Sequence, residues 1–174
     1  MRNMVLAALL LASPHSASAA NVDGNGALAL AALIAEHSPL LTGAQKSTMA
    51  RLFNGTLTPP PPGATIVVKA DNVVCRTSNV DITEHSCALT FGPRTVNLKG
   101  RRAHELYATI AEVGVPPDGA AGSVFESLSN LNCTIKPSEV ADRAGAGASC
   151  TFDSGAAAQS TSESAKSKSE PKKK

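Results

Sequence analysis

Apolar residues in the first third of the chain recur at helical spacing. Within residues 27–37, Leu30 and Ile34 fall on one face, and Asn25 stands where a helix cap is expected. Pro39 then ends the segment, because a proline disfavours helical geometry in the residue before it. The pattern predicts a helix over residues 27–37.

A second helix is predicted directly after the first. Thr42 and Gln45 have the capping-box spacing, in which the threonine side chain accepts a hydrogen bond from the glutamine amide. The pair Asn54 and Gly55 is typical of a helix end. Together the two segments predict a helix pair over residues 27–54.

The remainder of the chain is dominated by short segments rich in Val, Ile and Thr, a composition typical of strands. A proline run over residues 58–63 precedes them and is interpreted as an extended, semi-rigid connector. Asp71-Asn72 and Gly92-Pro93 are predicted turns. The predicted strands are residues 64–70, 72–77, 87–91, 95–99, 123–128, 131–135 and 148–152.

One further helix interrupts the strands. Residues 101–113 place Ala103, Leu106 and Ile110 on one apolar face, and Gly114 ends the segment. The whole pattern predicts an α+β fold, with an N-terminal helix pair plus one further helix packed on an antiparallel sheet of about five or six strands. The strand–helix–strand part is expected to span residues 64–153.

The first twenty residues have the three parts of a secretory signal peptide. Arg2 provides a positive start, an uncharged apolar run follows, and Ala17-Ser18-Ala19 has the small-residue form that signal peptidases cleave. The apolar run is shorter than the about 20 residues that a bilayer requires, so no transmembrane span is predicted. The pattern therefore predicts a periplasmic or secreted protein, cleaved near Ala19 or Ala20.

The formal net charge of +2 is unevenly distributed. Residues 21–153, the predicted single globular domain, carry a net charge of −2, whereas residues 154–174 carry +3. This tail has no large apolar residue and is predicted to be disordered, with lysines able to contact anionic polymer or lipid weakly. The chain has four Phe, one Tyr and no Trp. Nucleic-acid binding needs a basic surface and usually stacking aromatics, so it is not expected.

All four cysteines, Cys75, Cys87, Cys133 and Cys150, fall in the predicted mature chain. In an oxidising compartment an even number predicts disulfides, and four cysteines allow three pairings. A short internal echo, NVVC…SCALTF against NLNC…SCTF, favours pairing 75 with 87 and 133 with 150. Each bridge would then join the two arms of one hairpin, so two hairpin disulfides are predicted.

The stretch CRTSNVDITEHSC, residues 75–87, leaves a metal site as an alternative. His85 could act with Cys75 and Cys87, with Glu84 beside it. Structural zinc sites usually use cysteines about two to four residues apart, and this chain has no such pair. Redox chemistry would need a C-x-x-C motif or an exposed low-pKa thiol, and neither is visible. Structural disulfides without a metal are therefore the prediction.

No catalytic or cofactor motif stands out in the sequence. The patterns G-x-S-x-G, H-E-x-x-H, the phosphate loop and the dinucleotide fingerprint are all absent, so no catalytic residue and no cofactor are predicted. A dispersed enzymatic site would depend on His85, His104 and nearby carboxylates. A buried cleft lined by both histidines would favour an enzyme, and exposed, separated histidines would oppose one.

A basic cluster is the best candidate binding patch in the predicted domain. It comprises Arg94, Lys99, Arg101 and Arg102. Two arginines in a first helical turn oppose the helix dipole, so helix stability does not explain their presence. The cluster could meet an acidic partner, and the alternative is a solvated corner between a strand and a helix.

The leading hypothesis is an exported, non-enzymatic protein that binds or inhibits a macromolecular partner in the envelope or outside the cell. The layout of helix pair, sheet and two short cysteine loops resembles secreted β-lactamase-inhibitor-type proteins in arrangement. Their aromatic-rich face has no counterpart here, so no residue is carried over. The alternatives are an exported enzyme with a dispersed site and a structural periplasmic protein whose tail contacts anionic polymer.

Overall fold

One antiparallel sheet of six strands organises the computed structural model, which describes residues 18–57, 64–78, 81–113, 123–143 and 145–155. The strand order across the sheet is β1-β6-β5-β2-β3-β4, and every neighbouring pair is antiparallel. The strands are β1 (Ser18–Asp23), β2 (Ile66–Ser78), β3 (Ser86–Phe91), β4 (Arg94–Lys99), β5 (Ser123–Ile135) and β6 (Ala148–Gly155).

Helices cover one face of this sheet, which we call the covered face. Their bounds are α1 (Gly24–His37), α2 (Gly43–Phe53), α3 (Arg101–Glu112) and the short α4 (Pro137–Asp142). Helices α1 and α3 pack directly on the strands, while α2 packs against α1. The core lies between α1, α3 and the sheet, where alternate strand residues and all four cysteines are buried. The predicted α+β class is therefore confirmed.

Helix α2 forms where local sequence predicted it. The Thr42 hydroxyl accepts from the Gln45 amide, and the Gln45 side chain accepts from the Thr42 amide, so the capping box is complete. Asn54 is the C-cap, and Gly55 follows with φ of 65°. Helix α1 differs from the prediction at its start. It begins at Gly24, and Asp23 rather than Asn25 occupies the cap position, without a side-chain hydrogen bond.

The two central strands are longer than predicted. Residues 64–70 and 72–77 were expected as separate strands around a turn at Asp71-Asn72, but β2 runs through both. The same holds for residues 123–128 and 131–135, which β5 joins. Between these two halves β5 has a bulge and no turn, because its register with β6 shifts between Ser129 and Asn132. Asn130 takes φ of 55° there, so the polar residues bend the strand without ending it.

The chain is built from two units that share the order strand, helix, long strand and strand, with α2 additional in the first unit and α4 additional in the second. The N-terminal unit contains β1, α1, β2 and β3, and the C-terminal unit contains β4, α3, β5 and β6. Their long strands, β2 and β5, have 13 residues each and pair at the centre of the sheet. Each unit's first strand pairs with the other unit's last strand. If the two units are exchanged, the same strand order results, read from the opposite edge of the sheet.

Sequence identity accompanies this repeated topology. Residues 18–37 align with residues 94–113 without a gap, and eight of the twenty positions are identical. Both units turn from strand to helix at a glycine of positive φ, Gly24 at 74° and Gly100 at 60°. The identical pairs are Asn21/Asn97, Gly24/Gly100, Ala27/Ala103, Leu30/Leu106, Ala32/Ala108, Ile34/Ile110, Ala35/Ala111 and Glu36/Glu112. The echo around the cysteines thus belongs to a longer internal repeat.

Several sequence predictions fall outside the described residues. The connector over residues 58–63, most of the signal peptide and the tail beyond residue 155 are among them. Strand β1 begins at Ser18, so a mature chain that starts at Ala20 would keep its last four residues. Among the described residues, no helix combines the length and the apolar character needed to cross a bilayer.

Candidate functional site

Both disulfides lie on the covered face, each directly below the first turn of a helix. Cys75 pairs with Cys87 between β2 and β3, with their Cα atoms 4.1 Å apart. Cys133 pairs with Cys150 between β5 and β6, at 4.0 Å. The predicted pairing is confirmed, and with both Cys75 and Cys87 in a bridge, neither supplies a thiolate to a metal.

The equivalence of the two units extends to the contacts of these bridges. Cys87 Sγ lies 3.3 Å from the Ala103 carbonyl oxygen, and Cys150 Sγ lies 3.5 Å from the Ala27 carbonyl oxygen. Ala27 and Ala103 are one of the identical pairs of the repeat. The same helix–disulfide contact therefore occurs twice, each time between the helix of one unit and the disulfide of the other.

A cluster of aromatic rings beside the Cys75–Cys87 bridge is the most distinctive side-chain arrangement of the described chain. The Nδ1 atoms of His85 and His104 are 3.2 Å apart, and the two rings meet edge to face. Tyr107 adds a third ring, with its centroid 6.3 Å from that of His85. His85 is 7% exposed, although histidine is a polar residue, and His104 is half-buried.

Backbone hydrogen bonds hold both histidines in place. His85 stands between the 3₁₀ turn Ile82–Glu84 and β3, and its carbonyl oxygen accepts from the Gly100 amide at 2.9 Å. His104 belongs to the first turn of α3, and its amide donates to the Gly100 carbonyl at 3.0 Å. The backbones of both histidines are therefore hydrogen-bonded to the same residue, Gly100.

A carboxylate lies within electrostatic range of this cluster. The backbone amide and the hydroxyl of Thr83 both donate to Asp81, and these bonds hold the pKa of Asp81 below its usual value. His85 lowers that pKa slightly further. Asp81 is exposed, so it remains an ionised surface group at neutral pH.

The predicted basic patch is divided by the sheet. Side chains alternate along β4, so Arg94 lies on the covered side and Lys99 on the opposite side, at the two ends of the strand. Arg101 forms an ion pair with Glu105 at 3.0 Å. Arg102 forms an ion pair with Glu36 of α1. The structure thus brings Arg101 and Arg102 together on α3, each beside a carboxylate, and leaves Arg94 apart.

A groove of about 280 Å³ separates α1 from α3 and is lined by His37, Leu98 and both ion pairs of the α3 arginines. Burial lowers the pKa of His37 below 6.5, the nearby Glu36 carboxylate opposes this shift, and Arg102 and Lys46 add to it. His85 and His104 lie on the other flank of α3 and do not line the groove.

The lowered pKa of His37 predicts that acid weakens the fold. Below about pH 6.5 the unfolded chain binds a proton at this position more readily than the folded chain, so stability falls with falling pH until the folded group also titrates. We expect the His37→Gln variant to lose less stability than the unmodified protein between about pH 7.5 and about pH 5.5. Urea unfolding at both pH values measures the difference, and equal losses would contradict the prediction.

The second large surface is the sheet face opposite the helices, which we call the open face. None of the described helices packs on it, and hydroxyl and amide side chains predominate there, among them Thr90, Thr95, Asn97, Asn132, Thr134 and Thr151. Its described cations, Lys69, Arg76 and Lys99, lie on β2 and β4. The carboxylates Asp23 and Asp153 lie on β1 and β6, and Asp71 is exposed at the middle of β2, where it accepts a hydrogen bond from the Gly92 amide. The open face is therefore polar, with opposite charges towards its two sides.

Sequence analysis named both histidines but did not place them together. They are 19 residues apart on different elements, and periodicity within one element carries no information on such a contact. The internal repeat supplies a signal that could have drawn attention to them. It aligns His104 with Leu28 and Tyr107 with Ala31, so polar rings replace apolar core residues in one unit only.

Comparison with protein-family models, with curated proteins and with solved structures finds no match to this chain. Within the described ranges, no group of three or more His, Cys, Asp and Glu side chains is placed to hold a metal ion.

Proposed function

We propose that this chain is an exported, non-enzymatic binding module whose open face contacts a protein partner in the envelope or outside the cell. The observation that carries the proposal is the one-sided cover of the sheet, because the described helices pack on the covered face alone. Two buried disulfides on that face support secretion to an oxidising compartment. They also link neighbouring strands covalently, which makes the sheet rigid.

The chemistry of the open face favours a protein over other macromolecules. Nucleic-acid sites usually combine a basic surface with aromatic stacking. The aromatic side chains described in detail lie elsewhere, with Phe91 and Phe152 in the core, Phe53 on α2 and Tyr107 on α3. Hydroxyls and amides can pair with the polar groups of a protein surface, and few charges need to be desolvated.

Charge complementarity specifies the partner further. Lys69 and Lys99 lie on the β2–β4 side of the open face, whereas Asp23 and Asp153 lie on the β1–β6 side. A partner that presents carboxylates to the first side and cations to the second would be oriented by these charges. The Arg101 and Arg102 corner is less suited to this role, since each arginine already pairs with a carboxylate.

Site-specific photo-crosslinking in the producing cells tests the proposal. A crosslinking residue at Thr90 or Thr134, both on the open face, should give an adduct with one protein, and the same residue at exposed Ala50 of α2 should not. The double variant Lys69→Glu, Lys99→Glu should reduce the adduct at least about tenfold, because repulsion replaces steering.

Arg51→Glu, on the exposed side of α2, serves as the matched charge control and should leave the adduct unchanged. Equal adducts from α2 and the open face would contradict the proposal, as would insensitivity to the double reversal. An adduct with a glycan would assign the open face to a polysaccharide instead.

The two alternatives from the sequence have less support. An exported enzyme is favoured by one observation, the proximity of His85 and His104, yet three surface grooves of the described chain are lined by other residues. A structural protein that contacts anionic polymer depends on the tail, which lies mostly beyond the described residues. We therefore do not propose either.

A further inference from the structure

The spacing of the His85 and His104 rings matches the bite of two ligands on one metal ion. Zinc binds imidazole nitrogen at about 2.0–2.1 Å, and two such bonds at a tetrahedral angle place the nitrogens about 3.3 Å apart. The Nδ1 atoms of these residues are 3.2 Å apart. The two nitrogens are therefore spaced as two imidazole ligands of one tetrahedral ion would be.

The repeat shows that the fold itself does not require these rings. His104 aligns with Leu28, and His85 and Ala148 each stand two residues before the second cysteine of their unit. Leu28 and Ala148 are buried apolar residues. The aliphatic pair Leu28 and Ala148 thus lies beside the Cys133–Cys150 bridge below α1, whereas His104 of α3 and His85 before β3 occupy the equivalent positions beside the Cys75–Cys87 bridge.

Burying polar imidazoles where aliphatic side chains suffice costs stability unless the polar groups gain something in return. The hydrogen bond between the two Nδ1 atoms is one such gain. Such a pair needs one ring to donate and the other to accept. Binding a cation instead needs both Nδ1 lone pairs, so the donor ring must move its proton from Nδ1 to Nε2, with no proton lost overall.

We propose that His85 and His104 form a two-imidazole site for a borderline divalent cation: their spacing fits tetrahedral zinc(II), and the general affinity order of nitrogen sites makes copper(II) the tighter ligand. Imidazole nitrogen favours such cations over magnesium and calcium, and affinity at nitrogen sites rises from zinc to copper. Water completes the coordination, because the described chain brings no third His, Cys, Asp or Glu to this site. The backbone hydrogen bonds to Gly100 hold the pair in position before the cation arrives.

Titration calorimetry of the exported, disulfide-bonded protein with copper(II) and with zinc(II), without a histidine tag, tests the site. We expect one copper(II) per chain, weaker zinc(II) binding, and electron paramagnetic resonance of two coordinated nitrogens. His104→Leu and His85→Ala should each weaken copper(II) binding at least about tenfold, a loss on the scale seen even for residues that only support metal ligands.

The double variant His85→Ala, His104→Leu introduces the residue types found at the equivalent positions of the repeat, Ala148 and Leu28, so it is expected to fold, and circular dichroism with disulfide mapping verifies this. The control His37→Ala should bind copper(II) as the unmodified protein does. Absence of binding, or binding that survives in the folded double variant, would overturn the proposal. Loss of binding in His37→Ala alone would assign the cation to the groove between α1 and α3 and would overturn it equally.

Discussion

Replacing Cys133 and Cys150 together by alanine is expected to lower the free energy of unfolding by about 3 kcal/mol or more. The bridge closes a loop with a sequence separation of 17, and constraining the unfolded chain over that length contributes about 3 kcal/mol in the chain-entropy model. Both cysteines are fully buried below α1, so the loss of sulfur contacts adds to the effect. Single domains have only about 5–15 kcal/mol in total.

The disulfide between Cys75 and Cys87 provides the matched comparison. Replacing Cys75 and Cys87 by alanine opens a loop with a sequence separation of 12 below α3, and the same model gives a loss of similar size. Removing all four cysteines should therefore leave little or no cooperative unfolding. Urea denaturation under non-reducing conditions, followed by circular dichroism, measures each loss. A change below about 0.5 kcal/mol in either double variant, the range of neutral surface substitutions, would show that the bridges do not stabilise the fold.

The parts of the fold that were predicted correctly are those encoded by nearby residues. The capping box of Thr42 and Gln45 and the end of α2 at Asn54 involve residues a few positions apart. The disulfide pairing also followed from local hairpins. Short-range patterns of this kind carry their own energetic preference, so one sequence suffices to recognise them.

The errors arose where distant strands decide the local structure. Asp71-Asn72 has the composition of a turn, yet pairing with β5 on one side and β3 on the other keeps β2 continuous. No strand was predicted from Ser18 to Asp23, and pairing with β6 makes this segment one. Propensity alone cannot reveal such partners.

The candidate sites show the same contrast between features set by nearby residues and features set by distant elements. Alternation along β4 separates Arg94 from Lys99, a consequence of strand geometry that proximity in sequence concealed. Conversely, β3 and α3 bring His85 and His104 together across 19 residues. Their contact became interpretable through the repeat, since Leu28 and Ala148 indicate what the same positions hold when no imidazole is present.

Shortening a core leucine of either helix is expected to produce the second large loss of stability. Leu30 and Leu106 occupy equivalent positions of the repeat, and at 0% and 1% exposure both are enclosed between a helix and the sheet. Leu30→Ala and Leu106→Ala should each cost about 2–5 kcal/mol, because apolar contacts are lost and a cavity remains. Urea denaturation of each variant gives the value.

An exposed leucine provides the control. Leu40, in the link between α1 and α2, is 64% exposed, so Leu40→Ala should change stability by less than about 0.5 kcal/mol. If the two units support one common core, Leu30→Ala and Leu106→Ala should both lower the midpoint of a single cooperative transition. Two separate transitions, with each variant affecting only one, would instead mean that the units unfold independently. The continuous pairing of β2 with β5 along their length favours the first result, since neither unit can open without exposing the other's central strand.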